Sequence, residues 1–274
     1  LLAAAVLCVS VLTACSQNSG QTSSPNSSDP AQTGAPTDLL TQIQERGEIV
    51  VAMEGTWAPW TYHDEDDQLV GYDVEVAQNI AQRLGVEARF AEGEWDGLLA
   101  GLDSGRYDIM VNGVDIDEAR SEKYDFSTPY AYNRTAVIVS GDNDSIQSME
   151  DLNGKSTANT LNSTYANVAE SYGAEVTGVD DFIQTIELLN SGRIDATLNA
   201  EVSYYDYMAQ HPDANVKIAC IDPQSTQVAI PMRKGAESAA LVSAINDALA
   251  EMAEDGTLTE LSMKYFGTDI SKDQ

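Results

Sequence analysis

Leu102-Asp103-Ser104-Gly105-Arg106-Tyr107-Asp108 returns later in the chain, nearly intact, as Leu189-Asn190-Ser191-Gly192-Arg193-Ile194-Asp195. Each copy reads as a helix end. A glycine in the left-handed region closes the helix, an arginine stands by the negative end of its dipole, and a strand follows. A shared cap explains these residues locally, but two copies also place two similar units in one chain. The flanking elements repeat in the same order. Around the first copy, Glu48–Met53 and residues 86–90 and 107–111 read as strands. Residues 71–84 read as a helix with Val74, Ala77, Ile80, Ala81 and Leu84 on one face, and 95–102 as a second. Around the second copy, 155–159, 174–179 and 194–198 read as strands and 164–172 and 181–190 as helices. A β-α-β-α-β run made twice predicts an α/β chain of two lobes, each a mostly parallel sheet flanked by helices.

The rest of the chain connects these lobes. Residues 134–140 are the expected outward crossing and 225–230 the return, so that two crossing strands form a hinge that closes on a ligand. Residues 227–232 read as a strand, and 238–254 and 258–265 as helices that rejoin the first lobe. The expected partition is 38–138 for the first part of lobe 1, 139–226 for lobe 2 and 227–274 for the return to lobe 1.

The first 37 residues have a different character. LLAAAVLCVSVLTA, residues 1–14, is an uncharged apolar run, short for a membrane span and suited to the core of a secretory signal. It ends in Leu12-Thr13-Ala14-Cys15, similar to a bacterial lipobox, which predicts cleavage before Cys15 and a lipid on its sulfur. An ordinary secretory signal with an incidental cysteine is the other reading. Residues 16–37, rich in Ser, Gln, Asn, Thr, Gly and Pro, cannot bury a core and read as a disordered tether.

Composition narrows the function. The 274 residues carry a formal charge of −30 and are 43% hydrophobic, enough for a substantial core. That charge repels nucleic acid and anionic headgroups, so the only membrane contact expected is through Cys15. With Cys8 in the signal and Cys15 modified, Cys220 is left alone, and no intrachain disulfide is expected. His63 and His211 are far apart, and no metal or cofactor is expected. No G-x-S-x-G, phosphate-cradling glycine loop or H-E-x-x-H occurs.

Ligands of open α/β sheets bind beyond the carboxyl ends of the strands, which singles out residues 54–62, 112–120, 160–164 and 199–203. Arg120 has the fork that grips a carboxylate, or it forms a surface pair with Glu118 or Glu122. Ser163 and Thr164 open a helix, where they cap it or leave its N–H groups to an anion. Trp57, Pro59, Trp60 and Tyr62 are core or a wall against a ligand side chain. Glu54 stands at a strand tip facing either. Asp96 reads as a cap and Trp95 as packing.

At these residues the chain resembles the family 3 extracellular solute-binding proteins, which serve polar amino-acid ABC importers. The segments are Glu54-Gly55-Thr56-Trp57-Ala58-Pro59-Trp60, Gly71-Tyr72-Asp73-Val74-Glu75, Trp95-Asp96-Gly97-Leu98-Leu99, Tyr124-Asp125-Phe126-Ser127-Thr128-Pro129-Tyr130 and Gly192-Arg193-Ile194-Asp195-Ala196. The Met-Glu-Gly-Thr start and Asp195-Ala196-Thr197-Leu198-Asn199 look most like the cystine-binding branch. The resemblance implies the two-lobed periplasmic-binding fold of type II and a monomer that delivers a polar amino acid or cystine to a cognate permease outside the cytoplasm. It implies that Arg120 holds the ligand carboxylate with Ser163 and Thr164. Trp57 and Trp60 would flank the side chain, Glu54 face its far end, and the Gly113 carbonyl take the ammonium. Two positions depart from the pattern. Ala200 stands where the family has an ammonium-binding Asp, with Glu201 next, and Asp115 stands where it has Ser or Thr. Asp115, or else Glu201, is expected to replace the charge. The competing readings are a lyase of this fold, similar to cyclohexadienyl dehydratase with Glu54 as its acid or base, and a stand-alone sensor. A sensor would continue into a membrane-spanning signalling region, whereas the sequence ends at Gln274.

Overall fold

The computed structural model describes residues 38–273. The predicted signal, Cys15 and the tether therefore lie outside the described residues. The first lobe opens with α1 (Leu39–Arg46), β1 (Glu48–Met53), a small antiparallel meander of β2 (Thr56–Trp57), β3 (Thr61–His63) and β4 (Leu69–Val70), and then α2 (Tyr72–Leu84). It continues through β5 (Glu87–Glu92), α3 (Trp95–Asp103), β6 (Ile109–Met110), α4 (Glu118–Lys123) and β7 (Tyr124–Phe126). β8 (Ala131–Ser140) leads to the second lobe. There follow β9 (Ser156–Asn159), α5 (Thr164–Ser171), β10 (Glu175–Gly178), α6 (Phe182–Asn190), β11 (Thr197–Ala200) and α7 (Glu201–Gln210). β12 (Val216–Val228) runs back, and β13 (Pro231–Arg233), α8 (Ala239–Glu254) and α9 (Thr257–Phe266) complete the chain.

Each lobe centres on parallel strands. In the first, β1 lies between β5 and β6, with Val51 opposite both Phe90 and Ile109. All of β1 after Glu48 is buried, which is why it reads as a continuous apolar run. α2 covers it through Val76, Ala77, Ile80 and Ala81 and stops at Gly85, whose φ of 74° is left-handed. In the second lobe β9 pairs in parallel with β10 and bridges in parallel to Ala196 before β11. β8 then pairs antiparallel with β11 on one side and β12 on the other. The β8–β12 ladder runs on past a register shift, so that Ala131 pairs with Val228 and Asn133 with Thr226. These paired segments are the two crossings of a two-lobed fold.

The repeated heptapeptide has a structural reason beyond its cap. Gly105 and Gly192 are both left-handed, with φ of 73° and 66°. The aspartate closing each copy then turns back to the first strand of its own lobe. Asp108 Oδ2 accepts from Val50 N at 2.7 Å, and Asp195 Oδ2 from Ser156 N at 2.9 Å. The repeat is thus a helix stop joined to a carboxylate lock between strands.

Several local expectations are corrected. The strand expected at 194–198 begins only at Thr197, because Asp195 N and Ala196 N both turn to Ser156 O. The strand expected at 107–111 is confined to Ile109–Met110. The meander, α4 and α7 had no clear periodic signal. Cys220 sits half-buried inside β12 with its thiol 4.0 Å from Met149 Sδ.

Gly71 supports a sharp test of this framework. It precedes α2 with φ 135°, and a Cβ there would lie 2.2 Å from the carbonyl oxygen of Trp60. Gly71→Ala should destabilise the protein by at least about 2 kcal/mol, read as a lower midpoint in urea unfolding.

Candidate functional site

The strand tips of both lobes converge on one cleft, lined among others by Glu54, Trp57, Gly113, Asp115, Ser163 and Thr164. Arg120 of α4 stands beside it, bonded to the lining residues Asp115 and Thr164. Asp117 caps that helix by accepting from Arg120 N at 2.7 Å, which seats the arginine in the first turn. The side chain is 8% exposed and bonds to both lobes. One terminal nitrogen donates to Asp115 O at 3.0 Å and to Thr164 Oγ1 at 3.0 Å, and the other to Asn162 O at 3.1 Å. Nε stands 3.3 Å from Asp117 Oδ2, and the guanidinium lies over the Trp95 ring. The alternative reading, a surface pair with Glu118 or Glu122, is not what forms: Asp117 is the ion-pair partner.

From the second lobe, Ser163 caps α5 by accepting from Ala166 N at 3.1 Å. The cap reading of Ser163 therefore holds, and the Thr164 hydroxyl faces the arginine. Trp57 also crosses between lobes, with Nε1 donating to Asn199 Oδ1 at 3.1 Å. Asn162 makes a further crossing by donating to Asp96 Oδ1 at 2.9 Å. Asp96 is thus an interlobe partner, not the expected cap. Trp95 is buried as expected.

Gly113 has φ 55°, and a Cβ on it would lie 2.6 Å from the Trp57 ring. Its N–H donates to Asp73 Oδ2 at 2.6 Å, and Asp73 also accepts from the Tyr130 hydroxyl at 2.7 Å. Burial pushes the Asp73 carboxyl up to about 7, against the pull of these two bonds. Asp115 is 4% exposed and accepts from Thr226 Oγ1 at 2.5 Å. Burial raises its pKa, opposed by Thr226, Thr164 and Arg120. Glu54 is held by a reciprocal pair with Asn112: its N–H donates to Asn112 Oδ1 and its carboxylate accepts from Asn112 Nδ2, both at 2.7 Å. Burial lifts Glu54 to about 7, with Asn112 opposing and Asp181 adding to the rise.

Four of the expected site residues do not line this cleft: Arg120 bounds it through its bonds to the lining residues Asp115 and Thr164, and three stand elsewhere. Trp60 is fully buried between Trp57, Tyr72 and Phe266, so it backs the wall instead of forming it. Ala200 is buried in the sheet opposite Thr135. Glu201 opens α7 facing the hinge and binds Arg134 at 2.7 Å, in a separate recess. The structure adds Asn159, Tyr165, Asp181, Phe182 and Thr185 to the lining. Asp181 and Phe182 follow β10, a strand tip that the carboxyl-end rule covers and the four chosen segments omitted. Among the described residues no His, Cys, Asp and Glu side chains are grouped to hold a metal ion.

The raised carboxyls of Glu54 and Asp73 give the folded state a defined response to pH. Both Glu54 and Asp73 stay protonated in the fold at pH values where the unfolded chain has ionised them. Their stabilising share is whole below about pH 4 and is lost as pH rises to about 7. The melting temperature should be higher at about pH 5 than at about pH 7.5, and Asp73→Asn should flatten that slope.

A sequence profile of the bacterial extracellular solute-binding proteins, family 3, matches residues 49–268. The L-cystine-binding protein TcyA of Bacillus subtilis is 40% identical over 270 residues, covering 97% of this chain and 96% of that protein. An ancestral arginine-binding protein bound to arginine superposes with a TM-score of 0.75 at 38% identity, covering 81% of this chain and 99% of the other. The L-cystine solute receptor of Neisseria gonorrhoeae, in its unliganded open conformation, gives 0.59 at 37% identity, with 86% and 99% covered. The chain belongs to family 3 of the bacterial extracellular solute-binding proteins, an extracytoplasmic family.

Proposed function

We propose that the chain is the receptor of an amino-acid ABC importer and captures its ligand by closing two lobes about the paired crossings, with L-cystine the first ligand to try. The observation that carries this reading is Arg120, seated in one lobe and donating to Thr164 and Asn162 of the other. A ligand carboxylate meeting Arg120 and the start of α5 touches both lobes at once, which links binding to closure. Asp115 supplies the charge for the ammonium, since Glu201 is committed to Arg134. Trp57 and Phe182 pack the side chain, and Glu54 and Asp181 face its far end. Three cleft carboxylates against one arginine favour a ligand whose far end offers a cationic donor, as the guanidinium of arginine does and as the second ammonium of cystine does beside its second carboxylate. The names of the relatives point the same way. Residues 38–138 and 227–274 form one lobe and 139–226 the other, and the protein works as a monomer beside its permease.

Calorimetry against the common amino acids and cystine tests the reading. Binding near micromolar is expected, about −8 kcal/mol. Arg120→Ala should remove at least about 3 kcal/mol of it, and unchanged affinity would discard the central contact.

Cys15 and residues 16–37 complete the proposal as a lipid anchor and a leash. Expressed in a bacterial host, the protein should take up labelled fatty acid, and Cys15→Ala should abolish that labelling. Unchanged labelling of the variant would remove the anchor from this account.

A further inference from the structure

Two asparagines of the second lobe line the cleft at the tips of neighbouring strands, Asn159 at the end of β9 and Asn199 in β11. Their amide oxygens differ. Asn199 Oδ1 accepts from Trp57 Nε1 at 3.1 Å and from Ala200 N at 2.9 Å. Asn159 is 2% exposed, and its Nδ2 donates to Leu198 O at 2.6 Å and to Thr197 Oγ1 at 3.4 Å. A main-chain carbonyl accepts only from the NH₂ end of an amide, so this bond fixes which way the group points. Asn159 Oδ1 is left buried with no hydrogen-bond partner. A buried acceptor in that state costs stability, and one that lines a ligand cleft marks where a ligand hydrogen belongs.

The remaining acceptors narrow which hydrogen it takes. Glu54 and Asp181 also line an opening shared with Glu92, Glu94 and Asp180, which makes them the outward end of the cleft. Asn159 and Asp115 do not reach that opening. Asp115 is partly spent on Thr226, whereas an ammonium brings three hydrogens. We propose that Asn159 is a specificity residue whose Oδ1 accepts a hydrogen from the ligand's α-ammonium, with Asp115 supplying the opposite charge. The inference rests on the cleft being an amino-acid site. It also accounts for Ala200 and Glu201: with no carboxylate offered by β11 or the start of α7, the acceptor comes from the adjacent strand. The ligand class is then a primary α-amino acid, and α-hydroxy acids with the same side chain are rejected because they bring too few hydrogens.

The test is calorimetry of the whole protein and of Asn159→Leu with L-cystine and L-arginine, with a crystal structure of the wild type soaked in each. Asn159→Leu should weaken both probes by about tenfold to a hundredfold, and by similar factors, because both carry the same α-ammonium. The complex should place the ligand α-nitrogen within about 3.2 Å of Asn159 Oδ1. If Asn159→Leu does not fold, Asn159→Ser, too short to reach the ligand, should show the same loss. Unchanged affinity, a loss confined to one probe, or an α-nitrogen held elsewhere overturns the proposal while leaving the amino-acid reading in place. If the wild type binds neither probe nor any other α-amino acid, that reading fails and takes this one with it.

Discussion

A buried guanidinium must be hydrogen-bonded on nearly every side, and much of the cleft follows from how Arg120 meets that demand. Its own lobe supplies Asp117, the Asp115 carbonyl and the face of Trp95. Those partners leave donors pointing outward, and the second lobe fills them with Thr164 Oγ1 and Asn162 O. Asn162 sits at φ 59°, a conformation asparagine tolerates. Its side chain meanwhile reaches Asp96. One charge thus organises both faces of the cleft. A ligand carboxylate competes for the same donors, so its grip replaces polar contacts between the lobes with contacts that both lobes share.

The neighbouring groups are held with similar economy. Gly113 has no side chain because Trp57 occupies the space a Cβ would need. Its N–H is fixed by Asp73, which Tyr130 fixes in turn. Asp115 is tied to Thr226, the residue of β12 paired with Asn133 of β8, and Asn133 donates to the Tyr165 hydroxyl at 2.9 Å. The polar floor of the cleft therefore runs through both crossing strands. A change in what Asp115 binds is felt where the chain passes between lobes, a physical route from ligand to hinge.

Much of this was legible in the sequence because it depends on short-range rules. Helix stops at Gly105 and Gly192, the cap at Ser163, and the carboxyl-end rule placed most of the strand tips and their polar residues together. What failed was finer than those rules. β11 begins later than its apolar pattern suggests, because Ser156 O captures the N–H groups of Asp195 and Ala196. It therefore continues through Ala200, which sinks into the sheet, and Glu201 begins a helix directed at Arg134. Trp60 could not be told from Trp57 by composition: both are apolar and adjacent, and only the stacking order shows which faces the cleft. Asn159 was hidden for a different reason, since an unpaired amide oxygen is a property of three-dimensional neighbours.

Closure also carries an electrostatic cost, and that cost sorts ligands. Glu54, Glu92 and Glu94 of the first lobe meet Asp180 and Asp181 of the second around one opening, within a chain of net charge −30. Salt screens such charges only beyond about 8 Å, so bringing them together opposes closure. Glu54 answers part of this by holding its proton up to about pH 7. A ligand whose far end carries a positive charge answers more of it, because it neutralises the carboxylates in the act of closing. An apolar side chain fills the same volume and leaves the repulsion in place. Selectivity at this end then comes as much from what the acidic rim penalises as from any contact it makes. On the proposed reading, Arg120 would admit α-carboxylates in general, and the rim would decide which of them can keep the lobes shut.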